Sequence, residues 1–241
     1  MSAARFSNPV FVALDTPDLS KALSLAAAVK PHVGGLKVGL EFITALGPDA
    51  VRKIVAVGLP VFADVKFHDI PNTVAGAARE IARLGAAIFN IHVSGGEAMM
   101  RAAVEAAHGV DRKVKIIGVT ILTSMNDADL EAVGQQGPAL AQVERLAKFA
   151  KHCGLDGVVC SPRETALVRK ACGPDFLIVT PGVRPLGSDL ADQRRVTTPA
   201  EAMRAGSDIL VIGRPITDAA DPAAAARAIV QEIEAMLLPS P

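Results

Sequence analysis

Short apolar runs rich in β-branched residues recur along the chain, and the Ala-rich stretches between them carry apolar residues three to four positions apart. This alternation is that of parallel strands joined by crossover helices: a strand covered on both faces reads as one apolar run, while a helix buries a single stripe. Eight strands are predicted, over 10–14, 36–38, 61–65, 87–92, 114–120, 157–159, 177–180 and 209–212. Helices are predicted over 18–30, 71–84, 96–107, 142–152, 162–171 and 222–238. The α/β pattern suits a closed (β/α)8 TIM barrel or an open doubly wound sheet. Polar residues at nearly every strand's carboxyl end favour the barrel: Asp15, Lys37, Lys66, His92, Thr123, Ser161, Arg184 and Arg214. Closure brings those ends to one mouth.

Length agrees, since 241 residues suffice for one barrel of ~250 residues, and a single domain spanning 1–241 is expected. Basic and acidic residues balance at 25 each, which argues against nucleic acid as partner and leaves a small polar molecule as the expected one. Cys153, Cys160 and Cys172 form no Cys-x-x-Cys pair and no even set, so neither a disulfide framework nor a zinc site is expected. The amino-terminal segment lacks the apolar stretch of an export signal, and no run of ~18 apolar residues occurs. A cytoplasmic protein without a membrane partner is the expectation. The turn-rich stretch 185–189 is the candidate mobile loop.

The densest chemical signal is Asp64-Val65-Lys66-Phe67-His68-Asp69-Ile70-Pro71-Asn72-Thr73. Strand side chains alternate faces, so Asp64 and Lys66 are expected to point together into the mouth while Val65 packs outward. Asp69 falls in the following loop, and Pro71 suits the first turn of a helix. Lys37, on the neighbouring second strand between Gly35 and Gly39, is within reach of the cluster, because adjacent strands lie ~4.8 Å apart. A structural ion pair capping the barrel is the alternative that spacing alone leaves open.

These residues resemble a known family. Asp64-x-Lys66-x-x-Asp69, continued as His-Asp-Ile-Pro-Asn-Thr, is similar to the signature of bacterial orotidine 5′-phosphate decarboxylases. The likeness runs in order through Phe11-Val-Ala-Leu-Asp15, Leu-Lys37-Val-Gly, Thr120-Ile-Leu-Thr-Ser124, Val179-Thr-Pro-Gly-Val-Arg184-Pro, Asp192-Gln193-Arg194-Arg195 and Ile212-Gly-Arg214-Pro. It covers nearly the whole chain. The three-residue core by itself is shared with related barrels acting on sugar phosphates.

The resemblance implies decarboxylation of orotidine 5′-monophosphate to uridine 5′-monophosphate, with no cofactor and no metal. Lys37, Asp64, Lys66 and Asp69 would form an alternating charge network, Asp69 coming from the partner of a homodimer. Lys66 would be the general acid, supplying fixed positive charge and a proton to a ring carbanion that delocalises poorly. Asp15, Lys37 and the partner's Thr73 would hold the ribose, and Thr123 and Ser124 the pyrimidine edge. Gly213, Arg214, Arg184 and Gln193 would grip the phosphate, the last two from a loop that closes over it. Asp15 has another reading from its position alone, as a helix amino-terminal cap.

Other residues receive plainer readings. His92 is expected as a satisfied core or supporting histidine, Cys160 as packing, and Ser94-Gly95-Gly96 as a helix start. The nearest rival function is a metal-assisted sugar-phosphate decarboxylase or aldolase, in which the same carboxylates hold magnesium. Lys66 between Asp64 and a second acid speaks against it, as its charge already occupies that field. A non-catalytic pyrimidine-sensing barrel is the rival from another class.

Overall fold

The computed structural model describes residues 6, 8–184 and 197–237. Eight parallel strands close in chain order, β1 pairing with β8. They are β1 (Val10–Ala13), β2 (Gly35–Val38), β3 (Val61–Phe67), β4 (Ile88–His92), β5 (Lys115–Val119), β6 (Gly157–Val159), β7 (Leu177–Pro181) and β8 (Ile209–Ile212). The helices are α1 (Leu19–Val29), α2 (Leu40–Val55), α3 (Pro71–Arg83), α4 (Gly96–His108), α5 (Asp127–Ala132), α6 (Ala139–His152), α7 (Thr165–Cys172), α8 (Pro199–Arg204), α9 (Arg214–Thr217) and α10 (Pro222–Leu237). The (β/α)8 barrel is therefore the fold. None of these helices is long and apolar enough to cross a membrane.

Local chemistry sets the helix starts. Asp18 caps α1 by accepting from the amides of Ser20 and Lys21, so the cap is Asp18, and Asp15 is left for the mouth. Pro71 opens α3, where its missing N–H costs nothing. Thr198 and Glu201 form a reciprocal capping box on α8. The broken apolar period over 40–55 has its cause in Gly47, at φ 72°, followed by Pro48, which kinks α2. Ser161 to Glu164 form a turn, so α7 starts at Thr165, three residues beyond the expected start.

The core has two layers. Phe11, Phe62, Ile88, Ile117, Leu177 and Ile209 fill the barrel's interior, while alternate strand residues such as Val12, Leu36, Ala63, Phe89 and Ile178 pack outward on the helices. Burying each such large side chain contributes about 1.5–3 kcal/mol. Gly35 is required by the interior packing, because a Cβ there would lie 2.3 Å from the Phe11 ring.

The end of the barrel opposite the mouth is held by polar clamps. Arg169 on α7 donates to the carbonyls of Phe176 and Gly206, each at 2.7 Å, and to Asp208 at 2.6 Å. Asp208 in turn accepts from the amide of Ile178 at 2.7 Å, which ties β7 to the start of β8. Arg169→Ala strands these acceptors. It is expected to lower the unfolding free energy by about 2 kcal/mol, less than for a fully buried pair because both side chains are partly solvated. Urea unfolding measures it as a lower midpoint at unchanged slope. Turnover per folded molecule should stay native, because this end lies away from the mouth.

Candidate active site

The mouth encloses a cavity of about 360 Å³. Its apolar wall is made by Ala13, Phe62, Val119, Val159, Val179 and Val211, inward positions of six strands. Its charged groups come from the ends of β1, β2 and β3 and, as Arg184 and Arg214, from beyond β7 and β8. Asp15, Lys37, Asp64, Lys66, Thr123, Arg184, Gly213 and Arg214 all line it, so eight of the expected site residues converge.

Strand register explains the charged row. Ala13 pairs with Lys37 and Lys37 with Phe62, which puts the Lys37 ammonium between the ends of β1 and β3. It lies 2.9 Å from Asp15 Oδ1 and 3.5 Å from Asp64 Oδ2. Lys66 Nζ donates to Asp64 Oδ1 at 2.5 Å. The order across the mouth is thus Asp15, Lys37, Asp64, Lys66. Gly39 makes room for it, since a Cβ there would stand 2.9 Å from Lys37 Nζ and 3.2 Å from Asp15 Oδ1.

Asp64 and Lys66 do share a face, but not by plain strand alternation. β3 and β4 change register between Ala63 and Phe67, and Lys66 takes φ 49°, the one left-handed non-glycine backbone among the described residues. Such a conformation costs of order 1–2 kcal/mol in a side-chain-bearing residue. Asn90 on β4, missed in the sequence, meets this bulge. It accepts from the Lys66 amide at 2.7 Å and donates to Asp64 Oδ1 at 2.7 Å. The available signal was a lone amide in the otherwise apolar Ile-Phe-Asn-Ile run of β4.

Burial opposes ionisation of Asp64, but the charges of Lys37 and Lys66 and the hydrogen bonds from Lys66 and Asn90 outweigh it. The carboxyl is held below its ordinary value and is ionised at neutral pH. His92, whose ring stacks on His68 at 5.3 Å, is held below the usual imidazole range by burial and then by His68 and Lys66, against a smaller opposing pull from Asp64. Neither ring lines the cavity. Cys160 is fully buried, and burial pushes its thiol up to about 12, which fits packing rather than nucleophilic chemistry.

Three expected residues stand outside the cavity. Asp69 is exposed beyond β3, its carboxylate accepting from the amide of Ile70 at 2.6 Å. Thr73 lies exposed in the first turn of α3, and Ser124 is exposed after β5. Gln193 and the 185–189 stretch lie outside the described residues. Arg184, at the edge of that stretch, is 6% exposed. At the end of β8, Gly213 caps the short helix α9, which begins with Arg214.

Known proteins share this architecture and sequence. The family model described as orotidine 5′-phosphate decarboxylase / HUMPS matches residues 8–229. Orotidine 5′-phosphate decarboxylase of Moorella thermoacetica is 56% identical over 231 residues, covering 93% of this chain and 92% of the relative. The enzyme of that name from Paramagnetospirillum magneticum is 52% identical over 231 residues, covering 94% and 98%. The crystal structure of orotidine 5′-phosphate decarboxylase from Lactobacillus acidophilus superposes with a TM-score of 0.82 at 38% identity, covering 94% of this chain and 99% of that one.

Proposed function

The chain belongs to the orotidine 5′-phosphate decarboxylase / HUMPS family, and from that membership we propose that it converts orotidine 5′-monophosphate to uridine 5′-monophosphate and carbon dioxide, with Lys66 as proton donor. The observation that carries this reading is the row Asp15, Lys37, Asp64, Lys66 in a cavity that apolar strand residues also line.

The bond from the ring carbon to the carboxylate breaks, its electron pair stays on the ring carbon, and carbon dioxide leaves. Lys66 offers a fixed positive charge to that pair and then its proton, after which solvent restores the ammonium. Asp64, kept ionised, holds the Lys66 ammonium in place through the 2.5 Å contact. The chemistry so written needs no cofactor. Lys37 and Asp15 serve the ribose, Thr123 and Ser124 the pyrimidine edge, and Arg184, Gln193, Gly213 and Arg214 the phosphate. A guanidinium suits that last task through paired charge-assisted hydrogen bonds.

Asp69 and Thr73 are read as contributions to the partner's site in a homodimer. Their exposure outside their own chain's cavity, beside Ile70 at 68% exposed, supports this. The chain is read as one domain. A cytoplasmic setting fits its three buried free cysteines.

The deciding experiment follows the absorbance of orotidine 5′-monophosphate in chelator-treated protein. Turnover at the untreated rate is the expected result. Turnover that vanishes with the chelator and returns with a divalent cation would replace this reading by metal-assisted chemistry, and no turnover under either condition by a binding role.

A further inference from the structure

Among the described residues, Asn90 is the one fully buried side chain that joins both members of the Asp64–Lys66 pair, with 0% of its surface exposed. Its setting follows from the ladder. Ala63 pairs with Phe89 and Phe67 with Ile91, so three residues of β3, Asp64 to Lys66, stand opposite Asn90 alone. A strand carrying two extra residues cannot keep its backbone bonds across the bulge. Within this bulge, where Lys66 has a left-handed φ, the Lys66 amide donates to the Asn90 side-chain oxygen. That fixes the amide's orientation, because the atom facing an N–H donor must be oxygen. The NH2 end is then directed at Asp64, where it donates to the same oxygen that receives the Lys66 ammonium.

We propose that Asn90 is a positioning residue for the reaction: by holding the Lys66 backbone with one end and the Asp64 carboxylate with the other, it sets where the ammonium sits relative to the reacting carbon. This rests on the reading of Lys66 as proton donor. No other uncharged side chain of comparable length offers one acceptor and one donor in this arrangement. A carboxyl does so only while protonated, its hydroxyl donating to Asp64 and its carbonyl accepting from the Lys66 amide.

That difference supplies the test. kcat, KM and pH profiles are measured for Asn90→Ala, Asn90→Asp and Lys66→Ala, with sites counted by titration with uridine 5′-monophosphate. Asn90→Ala is expected to lower kcat per binding site about 100-fold, the scale of an ångström's misplacement of a reacting group. Product affinity should stay within about threefold, as for a loss felt mainly in the transition state. Its acid limb should move to higher pH, because Asp64 loses a donor that favours its ionised form. Asn90→Asp should work best at the acid end and lose activity as the introduced carboxyl ionises beside Asp64, giving a falling limb at lower pH than the native one, which is set by loss of the Lys66 proton.

A purely structural Asn90 would lower stability while leaving kcat per site and both pH limbs native, and that result overturns the proposal. Should Asn90→Ala fail to fold, the near-isosteric Asn90→Asp decides by its pH profile, a native profile overturning the proposal. Lys66→Ala separates the two readings. If it is inactive while Asn90→Ala keeps native kcat, the positioning role alone falls; if it retains turnover, the proton-donor reading falls and takes the positioning role with it.

Discussion

Lys66→Ala is expected to lower kcat by about 10⁵-fold, combining a general acid's 10²–10⁴ with the 10²–10³ of a preorganised charge, while uridine 5′-monophosphate still binds. In the proposed mechanism the two contributions act at one place, because the group that would stabilise the carbanion would also protonate it. Binding survives because the cation works on charge that appears only as carbon dioxide departs. A ground-state contribution from Asp64 is smaller. Two like charges ~4 Å apart at an effective dielectric near 20 repel by roughly 4 kcal/mol, or about three powers of ten, and the ammonium 2.5 Å from Asp64 neutralises part of that field. Steady-state kinetics beside product titration measure the division between kcat and binding. Equal loss of both would mean that Lys66 holds the nucleotide and does not donate the proton. Arg214→Ala should divide the other way, weakening the phosphorylated nucleotide and sparing the nucleoside; equal loss for both ligands would make Arg214 structural.

Mixing two inactive variants is expected to restore about a quarter of native activity, since random pairing in a two-fold dimer makes about half the dimers mixed and each holds one intact site. The variants are Lys66→Ala and Asp69→Ala, unfolded together and refolded at equal concentration. In the proposed homodimer each site would take Lys66 from one chain and Asp69 from the other, so a mixed dimer would have one site with both residues and one with neither. The motive is geometric as well as familial: Asp69 is exposed past the end of β3 and does not line its own chain's cavity. If Asp69 served its own Lys66, every site would lack one residue whatever the pairing. Persistent inactivity after subunit exchange, verified by mass-tagged chains, would refute the shared site and leave the Lys66 prediction untouched.

The two predictions rest on different levels of information. The barrel and the identity of the cavity's charged residues were legible along the chain, because strands covered on both faces must be apolar throughout. A polar residue at the carboxyl end of such a strand then stands out, as Asp15, Lys37 and Lys66 do. Helix starts at Asp18 and Pro71 were equally local, being set by one cap and one ring. The kinked α2 was illegible because Gly47 and Pro48 interrupt the period that identifies a helix.

What sequence alone determined is the strand order and most of the polar groups at the mouth, among them Asp15, Lys37, Arg184 and Arg214, since parallel order depends on the requirement to bury apolar runs; His92 and Ser161, also expected there, do not line the cavity. What only the tertiary structure decided is how those groups are held. The β3–β4 register change, the left-handed Lys66, and the bond pair of Asn90 arise from matching residues 24 and 26 positions apart in the chain. So does the clearance that Gly39 leaves for the Lys37 and Asp15 side chains, whose contact spans 22 positions. No pattern of period two or three and a half encodes such pairings, because they depend on the relative shift of two strands, which is settled by the packing of the closed barrel as a whole.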